Sequence, residues 1–450
     1  MVTVGSQPER ARRVAESFRA FLLLWCGQWL SLLGSRLSRF ALGVWLFQRT
    51  GAVADYALIA VCDMVPTLVL TPFTGVLADR YDRRRVMLLA DTGAALSMLV
   101  AVGLILSGRF EPWHLYLVIV ASASASAVHS PAWSATTALI VPKAQLGRAV
   151  GLTQAGEDVA DIVAPSVAGF LLVSTGLLGV LLIDFTSFLA GISVLLLLRF
   201  PPMPRAEGEA VGRSLWGDVA EAWAYAAARP EFMGLLVLFA FVNVALSAVQ
   251  VLVMPMLLAR SSPEAMGLVL SVSGVGALCG SVMMSVWGGP RRRVDGMLAG
   301  GAVMGLGLVV GGAVPSLPVM TVVGFVIMFC APVVFVCHAA IWQARVPAEL
   351  QGRAFSLRRV LGACIAVVTY LSVGPLVDRV MEPLLLPGGA LAGSVGHVIG
   401  MGQGRGAGLL FIIIGVVLVL VMALGRASRL IHRVEDSLHA GAAPVPSPSA

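Results

Sequence analysis

Glu157, Asp158 and Asp161 stand together in an otherwise apolar stretch of this 450-residue chain. On a helix, positions 157 and 161 share a face one turn apart, and 158 lies three residues before 161. If the helix starts near Leu146, these carboxylates lie roughly 16 to 23 Å along it at about 1.5 Å per residue, which is mid-membrane depth. Carboxylates crowded in a low-dielectric setting cannot all ionise cheaply, so at least one of them would hold and release a proton. Asp63 is a further carboxyl well inside an apolar run, and Arg36 and Arg39 lie on neighbouring faces of the first run. Arg36 is placed to pair with a carboxylate of the 157–161 cluster. An ionisable group inside a span is costly unless paired or wet, so each of these six is a candidate for proton coupling. The competing reading is a structural ion pair that fixes helix packing.

Other polar residues in the apolar runs are weaker candidates. His129 and His338 could shuttle protons, although a lone histidine in a span is more often a packing residue. Asp184 and Asp378 are expected nearer the far side, where water reaches them. Gln28, Asn243, Gln250 and Gln343, with Trp25, Trp29, Phe40, Met64, Met254 and Phe335, would give an apolar cavity with a few polar handles. Such a cavity suits amphipathic molecules better than sugars.

These residues must be positioned by membrane-spanning helices. The chain is 58% hydrophobic and 12% charged, against roughly 25% charged in an ordinary soluble domain. Apolar runs long enough to cross the bilayer predict six spans within 18–198 and six within 232–424, with helix-breaking polar stretches between. Before them lies a segment 1–17. Between them 199–231 begins with Pro201, Pro202 and Pro204, then repeats apolar residues at helical spacing (Trp216, Val219, Trp223, Ala226), predicting a linker with an interfacial amphipathic helix. The tail, 425–450, ends in a Pro, Ala and Ser-rich stretch that predicts partial disorder.

Twelve spans put both termini on one side. By our placement 24 of the 31 Lys plus Arg residues fall there, which predicts that this side is cytoplasmic. The basic residues sit between apolar spans rather than on one solvated face, so the net charge of +7 does not indicate nucleic acid. Six cysteines fall inside apolar runs without metal-like spacing and read as reduced packing residues. No HExxH, GxSxG or P-loop motif is present, which argues against an enzyme, a metal or a cofactor.

The chain repeats itself. Val141-Pro142, Gly147-Arg148-Ala149 and Leu152 recur as Val346-Pro347, Gly352-Arg353-Ala354 and Leu357, and Arg83 to Val86 recurs as Arg291 to Val294 at nearly the same separation. Duplicated halves of this kind build transporters that rock around a central site. Between the second and third runs stands Gly75-Val76-Leu77-Ala78-Asp79-Arg80-Tyr81-Asp82-Arg83-Arg84-Arg85. It resembles the G-x-L-A-D-R-x-x-R-R-x signature of the major facilitator superfamily, which implies a twelve-helix fold in two six-helix pseudo-repeats. The resemblance implies a gating role for Gly75, Asp79, Arg80, Arg83 and Arg84. Asp91, near the cytoplasmic end of the third span, is placed to pair with the signature arginines as part of that gate, or to form a structural salt bridge.

Leu24-Trp25-Cys26-Gly27-Gln28, Phe40-Ala41-Leu42, Thr50-Gly51, Ser130-Pro131-Ala132 and Val141-Pro142 narrow the likeness. From about Phe18 to Leu424 the chain is similar to the macrolide-efflux and enterobactin-exporter branch of the proton-driven drug antiporters, and within it to exporters accompanying nonribosomal peptide and polyketide pathways. Two departures stand out. The Gly-Pro-Gly-rich antiporter motif of span five appears as Ala164-Pro165-Ser166-Val167-Ala168-Gly169, and the fourth span carries no arginine. The copy of the signature in the second half lacks its Asp-Arg. The expectation is a monomeric, multi-pass transporter of the cell (inner or plasma) membrane, in contact with lipid, that exchanges protons for an amphipathic drug, siderophore, peptide or polyketide. Uptake or uniport of a lysolipid or nutrient is the alternative, and a membrane-embedded enzyme or sensor lies further off.

Overall fold

The computed structural model describes residues 7–198, 223–224, 227–259, 261–314, 316–346, 348–428 and 430–431. Most of the linker, including Trp216, Val219 and Ala226, and the tail beyond 431 lie outside the described residues. So do the side chains of 1–17 and of Gly75, Asp79 and Arg80. Among the described residues there is helix and no strand. A chain this apolar can satisfy its backbone inside hydrocarbon only within closed hydrogen-bonded elements, and helices do so locally.

The first helix, α1, runs Gln7–Thr50 and ends at Gly51, whose φ of 67° suits glycine. Then come α2 (Val53–Arg80), α3 (Arg83–Leu106), α4 (Pro112–Ile140) and α5 (Leu146–Leu197). Asp82 caps α3 by accepting from the Arg85 N–H at 3.1 Å. Glu111 and His114 form a reciprocal cap at the start of α4, with Pro112 in the first turn. As one straight rod, the 52 residues of α5 would run about 78 Å, more than twice the hydrocarbon thickness. The break falls at Gly176, which has φ 71° and ψ 179°. Each arm of α5 is therefore a span.

The chain continues with α6 (Pro230–Leu258), α7 (Pro263–Trp287), α8 (Arg293–Ala313), α9 (Leu317–Arg345) and α10 (Ala348–Leu376). A π-helical turn at Val377–Met381 and the short α11 (Glu382–Leu385) and α12 (Val395–Ile399) lead to α13 (Arg405–Ala427). Ten of these helices are long and apolar enough to cross a membrane. The second arm of α5 and α1, whose apolar face is interrupted by Arg36 and Arg39, bring the number of spans among the described residues to twelve.

Two compact units result: residues 1–51, 58–211 and 262–271 form the first, and 52–57, 212–261 and 272–450 the second. In the first unit α1 packs along α5, and α3 packs against α4 and α5. In the second, α8 packs against α9 and α13, while α6 packs against α10 and α13. The α8–α13 approach is backbone-close: a Cβ at Gly305 would meet the Gly415 carbonyl at 2.8 Å, and one at Gly312 would collide with the Gly408 carbonyl. Small residues let membrane helices approach this closely. The cysteines are free; Cys330 and Cys337 are buried between helices, while Cys26, Cys279 and Cys364 lie on the outside of their helices.

Candidate functional site

Along α1, Trp25, Gln28, Trp29, Leu32, Ser35, Arg36 and Arg39 recur every three or four residues and so share one face. That face lines a cavity of about 360 Å³ in the first unit. Asp63 and Thr67 of α2, Asp91 of α3, Ser126, His129 and Trp133 of α4, and Thr153 and Glu157 of α5 complete its wall. Aromatic surfaces make one side apolar. The indoles of Trp25 and Trp29 stack at 6.1 Å, and the Trp29 Nε1–H donates to the Gly156 carbonyl at 2.7 Å, which fixes the ring.

Both arginines of the cavity wall are ion-paired, Arg39 to Asp63 of the wall and Arg36 to a carboxyl outside it. Arg36 Nε lies 2.8 Å from Asp161 Oδ1, and Arg39 Nη1 lies 2.8 Å from Asp63 Oδ2. The cross-helix partner suggested for Arg36 in the 157–161 cluster is thus Asp161. Glu157 faces the cavity and is acted on by the charges of Arg36, Asp161 and Asp158. Asp158 turns aside: its Oδ1 accepts from Gln154 Nε2 at 3.1 Å, one turn back on α5. The helix thereby splits its three carboxyls between two faces.

A second polar cluster lies on the same wall. Gln28 Nε2 donates to Asp91 Oδ2 at 3.1 Å, and His129 Nε2 stands 3.6 Å from Asp91 Oδ1. Asp91 was expected to meet the signature arginines. It lies about 13 Å along α3 from the cap at Asp82 with 6% of its surface exposed, and among the described residues its partners are Gln28 and His129. Arg83 Nη1 instead donates to the Ala135 carbonyl of α4 at 2.9 Å. Arg84 donates to the Leu195 and Leu196 carbonyls at the end of α5, at 2.8 and 2.6 Å. The Leu195 and Leu196 carbonyls lie in the last turn of α5, where carbonyls lack a partner in their own helix and a cation satisfies them. Arg83 and Arg84 thus tie the start of α3 to α4 and to the end of α5 within the first unit. Gly75, Asp79 and Arg80 fall on side chains outside the described residues.

The expected cavity residues separate. Trp25, Gln28 and Trp29 line the cavity, whereas Phe40 is buried in the packing of α1 and Met64 is not on the wall. Apolar character, which core and cavity share, is all that points to Phe40 and Met64 in the sequence. In the second unit, Asn243 Nδ2 donates to the Phe239 carbonyl of its own helix at 2.8 Å, and Gln250 Oε1 accepts from the Tyr370 hydroxyl. Met254 is buried, and Gln343 is exposed, its carbonyl accepting from Gln351 Nε2 at 2.9 Å. Phe335 lines a separate, largely apolar cavity of about 470 Å³ with Phe239, Val336, Ala339, Arg358 and Arg359.

Asp184 corrects the sequence reading most plainly. Expected in reach of water, it is fully buried, at 0% exposure, because the serine-bearing face of α1 covers it. His129, treated as secondary in the sequence, joins the cavity through Asp91. Ser35, Ser126 and Thr153 were missed, since a hydroxyl in an apolar helix carries no signal of the face it occupies. Among the described residues, no group of three or more His, Cys, Asp or Glu side chains is placed to hold a metal ion.

A family model described as the Major Facilitator Superfamily matches residues 24–369. Macrolide efflux protein A of Streptococcus pyogenes is 25% identical over 348 residues, which cover 75% of this chain and 84% of that protein. Multidrug efflux pump Tap of Mycolicibacterium fortuitum is 23% identical over 346 residues, covering 74% and 83%. Among solved structures, the nucleoside transporter NupG matches with a TM-score of 0.71 at 13% identity, over 90% of this chain and 99% of that one. A bacterial homolog of the human lysosomal transporter Spinster, inward-facing and unoccupied, matches with a TM-score of 0.66 at 16% identity, over 98% and 100%. At these identities the solved structures speak for the fold alone.

Proposed function

The chain belongs to the major facilitator superfamily, and on that premise we propose that it exports an amphipathic small molecule from the cell in exchange for protons. It is a multi-pass membrane transporter, not an enzyme. The observation that carries the proposal is the cavity of about 360 Å³ in the first unit, whose wall combines tryptophans with Arg36, the Arg39–Asp63 pair and Glu157. An aromatic wall offers area to an apolar body, and a few fixed polar groups orient its polar end. Intramembrane carboxyls opposite arginines are the groups that can load and unload a proton as the partner geometry changes.

Export rather than uptake follows the named activities of the relatives, macrolide efflux and multidrug efflux. The substrate class we propose is a drug, siderophore, or peptide or polyketide natural product. The protein works as a monomer in the cell membrane with both termini cytoplasmic, alternating access between its halves. In this reading Asp79 and Arg80, with Gly75, govern the cycling step.

Reconstitution tests the reading. Purified protein in liposomes is given a macrolide and an imposed pH gradient, and macrolide movement is followed. We expect transport against the macrolide gradient, driven by the pH gradient and lost in Glu157→Gln. Movement indifferent to both the pH gradient and Glu157→Gln would overturn proton coupling, and gradient-driven movement in the uptake direction would overturn export.

A further inference from the structure

Asp184, on the second arm of α5, is sealed from solvent, with 0% of its surface exposed. Ser35 Oγ donates to its Oδ1 across 3.4 Å, while Oδ2 has no hydrogen-bond partner among the described residues. The Ser187 hydroxyl donates to the carbonyl of Asp184 itself at 2.7 Å. Beside the carboxyl is a void of about 20 Å³, enough for about one water. Ser35, Ser38, Ser122 and Arg39 border it, and the rest of its wall is apolar. Arg39 and Ser35 also line the large cavity, so the two spaces meet at these side chains.

Arg39 therefore stands between two carboxyls. It is paired to Asp63 at 2.8 Å, and the charges acting on it also include Arg36, Asp161 and Asp184. No titratable side chain of α3 or α4 borders the void, so Arg39 is the charge that faces Asp184. Among the described residues only neutral serine hydroxyls, those of Ser35, Ser38 and Ser187, stand against the carboxyl group, and a buried carboxylate supported by neutral hydroxyls is costly, whereas a neutral carboxyl is far less so.

We propose that Asp184 is a proton-holding carboxyl that competes with Asp63 for Arg39. With Arg39 on Asp63, as described, Asp184 carries the proton. When Asp63 takes a proton from the large cavity, an O–H bond forms there and its hold on the guanidinium weakens. Arg39 turns to Asp184, whose O–H bond breaks, and that proton leaves through the water-sized void toward Ser35 and the cavity. One proton is bound and one released, Arg39 stays charged throughout, and the net charge of the three groups is unchanged. Its part in transport rests on the proton-coupled reading above, while the competition itself does not.

Infrared spectroscopy of the full-length protein in liposomes at neutral pH reads this without substrate or gradient. We expect a carbonyl band of a protonated, buried carboxylic acid that is lost in Asp184→Asn. The same component should be lost in Asp63→Asn, because Arg39 then goes to Asp184 and ionises it, and Asp63→Asn/Asp184→Asn should lose nothing more. Survival of the band in Asp184→Asn, or its full persistence in Asp63→Asn, overturns the proposal. Asp63 is part-exposed, so its variant carries the test even if Asp184→Asn does not fold. A pH-indifferent transporter would defeat the proposed function and leave these spectra to judge the competition separately.

Discussion

The two units use their acidic residues in opposite ways. In the first unit, Asp63, Asp91, Asp161 and Asp184 lie deep in their helices, against Arg36, Arg39, His129 and serines from other spans. In the second, Asp378 and Glu382 meet helix starts and cap them. Asp378 accepts from the Val53 and Ala54 N–H groups at the start of α2, at 3.0 and 2.8 Å. Glu382 accepts from the Gly404 and Gly406 N–H groups at the start of α13, at 2.6 and 2.8 Å. Anions at helix N-termini meet unpaired N–H groups and the positive end of the helix dipole, which is a structural use.

Mid-span polar groups of the second unit follow the same pattern. His338 stacks on Phe239 with ring centroids 4.3 Å apart, and its Nε2 accepts from Trp342 Nε1 at 3.1 Å. A chain with an internal repeat can thus keep one scaffold twice and place mid-span carboxyls in one copy. Sequence repetition reports the scaffold and says nothing of this division.

The comparison can be broken at several points. Gly312→Leu in α8 should have the largest effect, because the α8–α13 approach leaves no room for a side chain. We expect folded, monodisperse protein to be lost in size-exclusion chromatography, beyond the 1–3 kcal/mol or so typical of overpacking. Glu382→Ala should destabilise the protein by about 1.5–3 kcal/mol, the worth of hydrogen bonds to a charged group. It should lower the thermal midpoint while leaving the pH dependence of transport as it is. A changed pH profile would give the second unit a share in coupling. Asn243→Ala removes a bond to its own helix backbone and should cost about 0.5 kcal/mol or less in stability, with transport within about twofold of the parent. A larger transport loss would return Asn243 to the cavity candidates.

Much of the scaffold is legible in the sequence because hydrocarbon demands long apolar runs, and even the break near Gly176 shows as a Ser-Thr-Gly interruption between two runs. Arg36 and Arg39 are legible as site residues because an arginine in a span must find a partner. Which partner is another matter. Asp161 rather than Glu157 meets Arg36, and Gln28 and His129 rather than the signature arginines meet Asp91, since these choices depend on how neighbouring helices are rotated. The burial of Asp184 is hidden in the sequence for the same reason: it depends on the face that α1 turns toward it. The short helices between 382 and 399 carry no long apolar run and leave no trace in hydropathy.

In the proposed cycle the charged groups of the first unit exchange protons for substrate. Proton release on adding a macrolide to the purified protein, read with a pH-indicator dye in weakly buffered solution, tests that exchange. We expect release from the parent and from Asn243→Ala, and loss of that release in Arg39→Met and Glu157→Gln. Macrolide binding with no proton release from the parent, or with equal release from all four proteins, would contradict it.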